Sequence, residues 1–437
     1  MKRNRVRHLA MSVAVAVVAG GACSGEGTVA PVIDRLPRQL TVAEQTIIRN
    51  TNVFGFDLLG RVRGRDAGPN VFLSPLSAGM ALGMTMNGAA GETLVAMREG
   101  LRFGELTDTE VNESFRGLLD VLLDLDPRVG LRIGNSIWAR QGIPFEQAFY
   151  GTADEYYDAE VQALDFADPA AVDVINAWAR DATAGKIERV LNEIDPEHIM
   201  FLLNAIWFKG QWTRQFDPAD TRPAPFTRAD GSTVNVPMMY LPEGPVRTIY
   251  REAYQAVELP YGGRAWSMVI ALPGEGRTLD DLVSDLNETM WNDLVAGLDS
   301  AELEVRMPRF RLEYETLLNR PLQDMGMRIA FSRSADFTRL TPLARVQAVC
   351  IHFVKQNTFV EVNEEGTQAA AVTTVGIGTD SAPLPFNVDR PFLFAIRERL
   401  SGVVLFIGTI GDPAVTKSSP AGDPGPVCPR LDELGTG

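Results

Sequence analysis

Histidine is nearly absent: three in 437 residues, and His8 lies in a basic N-terminal leader, leaving only His198 and His352. A Ser-His-Asp hydrolase needs one of them beside a nucleophile, yet the chain has no Gly-x-Ser-x-Gly turn and no Ser-x-x-Lys in a supporting context. His-Glu-x-x-His, Cys-x-x-Cys and phosphate-loop patterns are missing too, so no enzyme, metal or cofactor is expected. His198, after Asp195-Pro196-Glu197, and His352 read as structural or surface imidazoles. Asn87-Gly88-Ala89-Ala90-Gly91-Glu92 is Gly-rich but lacks nucleotide-site spacing; it reads as a helix stop followed by a new helix. Three cysteines, Cys23, Cys350 and Cys428, are too few for a disulfide scaffold. Basic residues are outnumbered, 41 against 56 acids, and the signs are mixed along the chain, which argues against a nucleic-acid partner. No apolar run reaches the roughly 20 residues of a membrane span.

What is present begins with an export signal. Lys2, Arg3, Arg5 and Arg7 precede an apolar run from Leu9 to Val18, then small residues end at Cys23. A cysteine in that position resembles a bacterial lipoprotein cleavage site, with Gly20 where Leu is usual, so a lipid on Cys23 is expected. Ordinary secretion with cleavage near Ala22 is the alternative. Loss of the four basic residues takes the net charge from −15 to −19. Residues 24–39 read as a linker and 414–437, rich in Pro and Gly, as a disordered tail. Between them, 40–413 shows no internal break or repeat and reads as one large domain, with 45% hydrophobic residues in the whole chain to supply its core. Helical periodicity covers Val42–Arg61, Leu76–Met86, Glu92–Leu101 and Asn112–Leu125. Strand-like runs follow at Leu131–Ala139, Ile199–Phe208, Ala256–Pro260, Ser267–Leu272, Ala301–Arg306, Thr358–Asn363, Phe392–Arg397 and Val403–Ile410. Helices first and strands later predict an α+β fold.

One stretch looks like a strand yet lacks a hydrophobic anchor. Gly366 to Thr379 carries no charge and no proline over fourteen residues. Alternation gives one small, mostly apolar face of Thr367, Ala369, Ala371, Thr373, Val375 and Ile377. Phe359–Glu364 before it is strand-like, and Asp380-Ser381-Ala382-Pro383-Leu384-Pro385 after it should be extended and exposed. The segment therefore reads as an exposed loop able to become a strand, or as a plain Thr/Ala strand or linker.

Val362-Asn-Glu-Glu-Gly-Thr-Gln-Ala-Ala-Ala371 resembles the hinge of inhibitory serpins, and Phe386-Asn-Val-Asp-Arg-Pro-Phe-Leu-Phe394 the strand after their reactive loop. The resemblance extends in order through Asn70–Ser77, Asn204–Trp212, Phe226 with Asp230-Gly231, Val236–Met239, Leu259–Tyr261 and Met307–Phe310. It implies three β-sheets, eight or nine helices and an exposed reactive-centre loop. It also implies that a protease is trapped after cutting that loop, which then enters the main sheet. By the same resemblance Glu364, Gly366, Thr367, Gln368, Ala369, Ala370 and Ala371 form the hinge. Ser74, Pro75, Ser77 and Asn204 lie where the sheet parts, and Trp212 lies near the loop's entry. Gln356 stands where many serpins have a buried His; it can donate and accept hydrogen bonds but cannot titrate.

The usual loop length places the scissile bond at Asp380–Ser381, preceded by Ile377, Gly378 and Thr379 as specificity residues. Asp380 implies a protease with a basic primary pocket, of the serine or the cysteine class. Cleavage after Thr379 or Ile377 by elastase- or subtilisin-like enzymes is the rival register. The 112–125 helix carries Asp120 and Asp124 with only Arg116 as a base, so no glycosaminoglycan site is expected. The expected product is an exported, extracellular or cell-envelope monomer, held to a membrane only by a lipid on Cys23. A noninhibitory serpin acting as a binding or carrier protein is the alternative.

Overall fold

The computed structural model describes residues 31–66, 68–196, 198, 200–346, 348–367 and 385–418, with the backbone alone at 201–202. The leader with Cys23, linker residues 24–30, the loop from Gln368 to Leu384 and the tail beyond Ser418 lie outside the described residues. So do the site positions Gln368, Ala369, Ala370, Ala371, Ile377, Gly378, Thr379, Asp380 and Ser381.

Nine helices occur among the described residues. α1 (Val42–Arg63) starts where Thr41 accepts from the Glu44 amide and the Glu44 carboxylate returns a bond to the Thr41 backbone, a reciprocal cap. α2 (Pro75–Met86) is capped by Ser74 and opens on Pro75, whose fixed φ suits a first turn. Every residue of α2 is buried, and its small residues permit close packing: Gly79 lies against Thr51 of α1 and Phe115 of α4. α3 (Gly91–Gly100) and α4 (Asp108–Leu122) follow, α4 with its own Thr107–Glu110 reciprocal cap. α5 (Gln147–Tyr157), α6 (Ala170–Ala182), α7 (Leu279–Asp285), α8 (Glu288–Ala296) and α9 (Asn319–Asp324) complete the set.

The strands form two hydrogen-bonded networks. The larger is ordered β1 (Asn70–Leu73), β15 (Val404–Ile410), β14 (Phe392–Glu398), β8 (Trp266–Pro273), β7 (Tyr254–Tyr261), β6 (Thr233–Tyr250), β9 (Asp299–Pro308), β13 (Phe386–Asn387), with β5 (Arg222–Thr227) on β6. Two of the three sheets implied by the resemblance are continuous here because β6, 18 residues long, runs through both with a register shift between Leu241 and Gly244. β8, β14 and β15 are buried along their whole lengths and anchor the main core.

The second sheet is ordered β16 (Lys417–Ser418), β10 (Phe310–Leu317), β11 (Lys355–Val362), β4 (Met200–Gln211), β2 (Val129–Arg140), β3 (Glu160–Leu164), and β12 (Gly366–Thr367) also pairs with β4. Its strands alternate faces. Ile206, Phe208, Val360 and Val362 enter the main core. Trp138, Leu203 and Phe359 point the other way into a separate small cluster under α6 with Ile175 and Ala179.

Candidate functional site

β4 and β11 run parallel at the centre of the second sheet, yet they pair over only three positions: Leu203 with Lys355, Asn204 with Gln356, Ala205 with Asn357. Above that ladder β12 occupies the widening gap. The chain leaves β11 and reverses between Asn363 and Gly366, whose backbones bond reciprocally at 2.9 and 3.3 Å. Gly366 and Thr367 then pair antiparallel with Gln211 and Gly210. At Gly366 the backbone takes φ +147°, and a Cβ would meet the Gly210 carbonyl at 2.1 Å, so no larger residue fits this approach.

The reversal is held from several sides. The amides of Trp212 and Phe216 donate to the carbonyls of Glu365 and Glu364, 2.9 and 2.8 Å. Trp212 Nε1 donates to the Asn363 carbonyl at 2.9 Å, and its ring stacks on Tyr261 with centroids 4.3 Å apart. The Glu364 carboxylate, buried, accepts from Thr221 Oγ1 at 2.8 Å and lies 3.5 Å from Arg309. Thr367, also buried, has its hydroxyl 3.0 Å from that of Tyr261. Burial raises the Tyr261 pKa, an effect partly offset by the Thr367 bond, so the phenol stays protonated at neutral pH.

The expected sheet-parting residues assemble about the three-position ladder, a strand's length below Trp212. Ser74 bonds Gln356 twice, its amide donating to Oε1 and its carbonyl accepting from Nε2, both at 3.0 Å. Gln356 thus uses its donor and its acceptor together, as a neutral imidazole at one backbone unit would not. Ser74 Oγ donates to the Leu405 carbonyl at 2.7 Å, tying β11 through Ser74 to β15 of the other sheet. Pro75 packs closely on α1 at Gly55, where a Cβ would sit 2.3 Å from its ring. Asn204 Nδ2 donates to Asn135 Oδ1 at 2.7 Å, and Asn135 Nδ2 donates to the Tyr157 carbonyl. Asn204 Oδ1 and Ser77 Oγ are buried without a hydrogen-bond partner among the described residues. Asn204 lines a cavity of about 20 Å³ with Ala78, Ala81, Leu82 and Gln356, room for a single water.

Below the ladder the two remaining histidines meet. His198 and His352, read separately from the sequence, meet with ring centroids 4.9 Å apart and planes tilted by 58°. Burial first, then the His198 charge, pushes the His352 pKa down to about 4 from 6.5, against an opposing pull from Asp195. The folded state therefore resists a proton that the unfolded chain accepts. Stability should be complete above pH 6.5, fall as the pH drops toward about 4, and change no further on this account below it. The loss is about 3 kcal/mol. Urea titrations of wild type and His352→Gln between pH 7 and 4 should diverge by that amount; parallel curves would refute the assignment.

The serpin family model, described as serine protease inhibitor, matches residues 49–413. The chain belongs to the serpin family. It is 33% identical over 379 residues to Iripin-2 of Ixodes ricinus, covering 84% of this chain and 94% of that protein. Among solved structures, the thermophilic serpin tengpin in its native state aligns with TM-score 0.77 at 30% identity, covering 88% of this serpin and 97% of tengpin. Human thyroxine-binding globulin complexed with its hormone aligns with TM-score 0.79 at 26% identity, covering 86% and 100%. The α+β serpin fold expected from the sequence is thus the one observed, and serpins as a family act on proteases as inhibitors more than as enzymes.

Tyr261, Thr221, Arg309 and Asn135 hold these two regions together but were not singled out from the sequence. Tyr261 stood inside a family landmark, yet its partner Thr367 is 106 positions away.

Proposed function

We propose that this serpin inhibits an endopeptidase as a suicide substrate cut at Asp380–Ser381. The protease nucleophile attacks the Asp380 carbonyl carbon; the amine of Ser381 leaves with a proton, and an acyl ester or thioester to Asp380 remains. The freed loop then extends β12 between β4 and β11 and draws the tethered protease along the sheet. The observation that carries this reading is the seating of Gly366 and Thr367 in the gap, antiparallel to β4 and directed toward the ladder. In that register Ala369 and Ala371 would follow opposite Phe208 and Ile206, where only small inward side chains fit against large ones. Fourteen residues from Thr367 to Asp380 make about 45 Å of strand, enough to carry the protease tens of ångströms.

The domain boundaries 40–413, the hinge, the sheet-parting set and the lipid on Cys23 belong to the same proposal, with an exported monomer as the acting form. Cys350 is disulfide-bonded, which suits an oxidising compartment outside the cytosol. Among the described residues no helix is long and apolar enough to cross a membrane, so attachment would rest on the lipid.

The test is an SDS-resistant adduct with a protease panel of differing primary specificity. Acid-specific serine proteases should form it with wild type, and Asp380→Arg should move it to trypsin-like enzymes through charge-assisted bonds in an acidic pocket. Adducts with elastase- or subtilisin-like enzymes that survive Asp380→Arg would shift the bond to Thr379 or Ile377. Thyroxine-binding globulin keeps the carrier reading in view, and absence of any adduct across the panel would favour it.

A further inference from the structure

Cys350 lies just before β11, buried, and is joined to another cysteine. The chain offers two partners, Cys23 and Cys428. We infer that the partner is Cys428, and that the bridge keeps the two halves of the cut chain covalently together.

Direction and reach select Cys428. Ser418 pairs in parallel with Tyr314 of β10, which is opposite Thr358 of β11, and β10 and β11 are antiparallel. The chain therefore runs through Lys417 and Ser418 heading down the sheet, toward the residues that precede β11. Cys350 is eight positions before Thr358, about 26 Å along the sheet, and β16 is two strand spacings from β11, about 10 Å across. Ten residues from Ser418 to Cys428 span up to about 35 Å, which covers the distance with slack.

Reach argues against Cys23. The chain enters the described structure at the opposite end, where the Ile33 amide donates to the Gly263 carbonyl beside Gln211, the last residue of β4. Cys350 shares a cavity wall with Met200, the first residue of β4. Eleven strand steps separate those ends, about 36 Å. Ten residues from Ile33 back to Cys23 would have to run straight and fully extended to cover it. On the proposed lipid attachment, moreover, the Cys23 thiol is already used.

Formation of the bridge removes one proton from each thiol and two electrons from the pair. A disulfide-bearing thiol oxidoreductase of the export compartment takes up both, becoming a dithiol. The bond closes a ring running from Cys350 to Cys428, and Asp380–Ser381 lies inside it. Cleavage there opens the ring without dividing the molecule. The strands after the loop, β13 to β16, therefore stay attached to the acylated part. This last step rests on the proposed inhibitory reading; the pairing itself does not.

Peptide mapping of the full chain after alkylation without reductant should yield one linked peptide carrying Cys350 and Cys428. A Cys350–Cys23 peptide, or Cys350 recovered alkylated, would overturn the pairing. The cut or adduct-bearing serpin should then keep its C-terminal fragment on denaturing gels without reductant and lose it once reductant is added. Cys428→Ser, a change in the tail away from the buried Cys350, should lose the fragment in both conditions. Loss of the wild-type fragment without reductant would defeat the inference. No cut between Gln368 and Leu384 by any protease would leave the map standing and defeat the inhibitory reading alone.

Discussion

Thr367→Arg should turn the protein from an inhibitor into a substrate while leaving it folded. Thr367 is buried in the gap between β4 and β11, with its hydroxyl on Tyr261 and Gly210 opposite. The hydrogen-bond partner of the Thr367 side chain among the described residues is the Tyr261 hydroxyl, and a guanidinium buried there unpaired costs about 3 kcal/mol or more. The native fold avoids the cost by letting the two residues of β12 swing out, because no other strand depends on them. The inserting loop cannot avoid it. A barrier raised by that amount slows insertion about 100-fold, so hydrolysis of the acyl intermediate should win. Protease should then turn over the variant, the adduct band should vanish, and urea unfolding should stay cooperative, its midpoint lowered only by loss of the Thr367–Tyr261 bond and the two β12 pairs. An undiminished adduct would mean that the loop does not enter the sheet by this route.

Cutting the wild-type loop should raise the unfolding temperature on the order of 10 °C. Residues from Gln368 to Ile377 would gain backbone bonds on both sides, about 10 kcal/mol in total at about 1 kcal/mol per residue. An unfolding entropy of about 2.1 cal/mol/K per residue converts this into the stated shift for a chain of this length. The register makes one contact specific. Thr373 arrives opposite Asn204, whose buried Oδ1 has no hydrogen-bond partner among the described residues and can accept from the incoming hydroxyl. Thr373→Val, nearly the same shape, should cut readily yet gain less in temperature. A cleaved wild type melting where the intact protein melts would remove the energetic basis of the proposal.

The sequence made some of this legible and hid the rest for identifiable reasons. α1 stood out because apolar residues recur at three-to-four spacing through Val42–Arg61, Ile47, Phe54 and Leu58 among them; its Thr41–Glu44 cap became visible only in the structure. β6 was missed because Pro237, Pro242 and Pro245 argue against a central strand; the shift between Leu241 and Gly244 accommodates Pro242. β10 went unread although Phe310, Leu312 and Tyr314 alternate cleanly with Arg311, Glu313 and Glu315, a signal that was there to find. α6 shows few large apolar residues because it covers a small patch of sheet instead of a core. Periodicity could not bring Ser74 to Gln356, 282 positions apart; only the family resemblance placed them in one region. The same distance effect concealed the meeting of His198 and His352.

The three-position ladder between β4 and β11 also has a mechanical side. Strands pulled lengthwise past each other must break all their cross-bonds together, whereas strands pried apart at one end release them singly. β12 enters at one end of the gap and the ladder lies toward the other, six residues farther along β4 from Gly210 to Asn204. The load from a lengthening loop therefore falls on the nearest pair, Asn357 with Ala205, and reaches Gln356 and Lys355 only afterwards. The seam is arranged to peel, so its resistance at any moment is that of one rung.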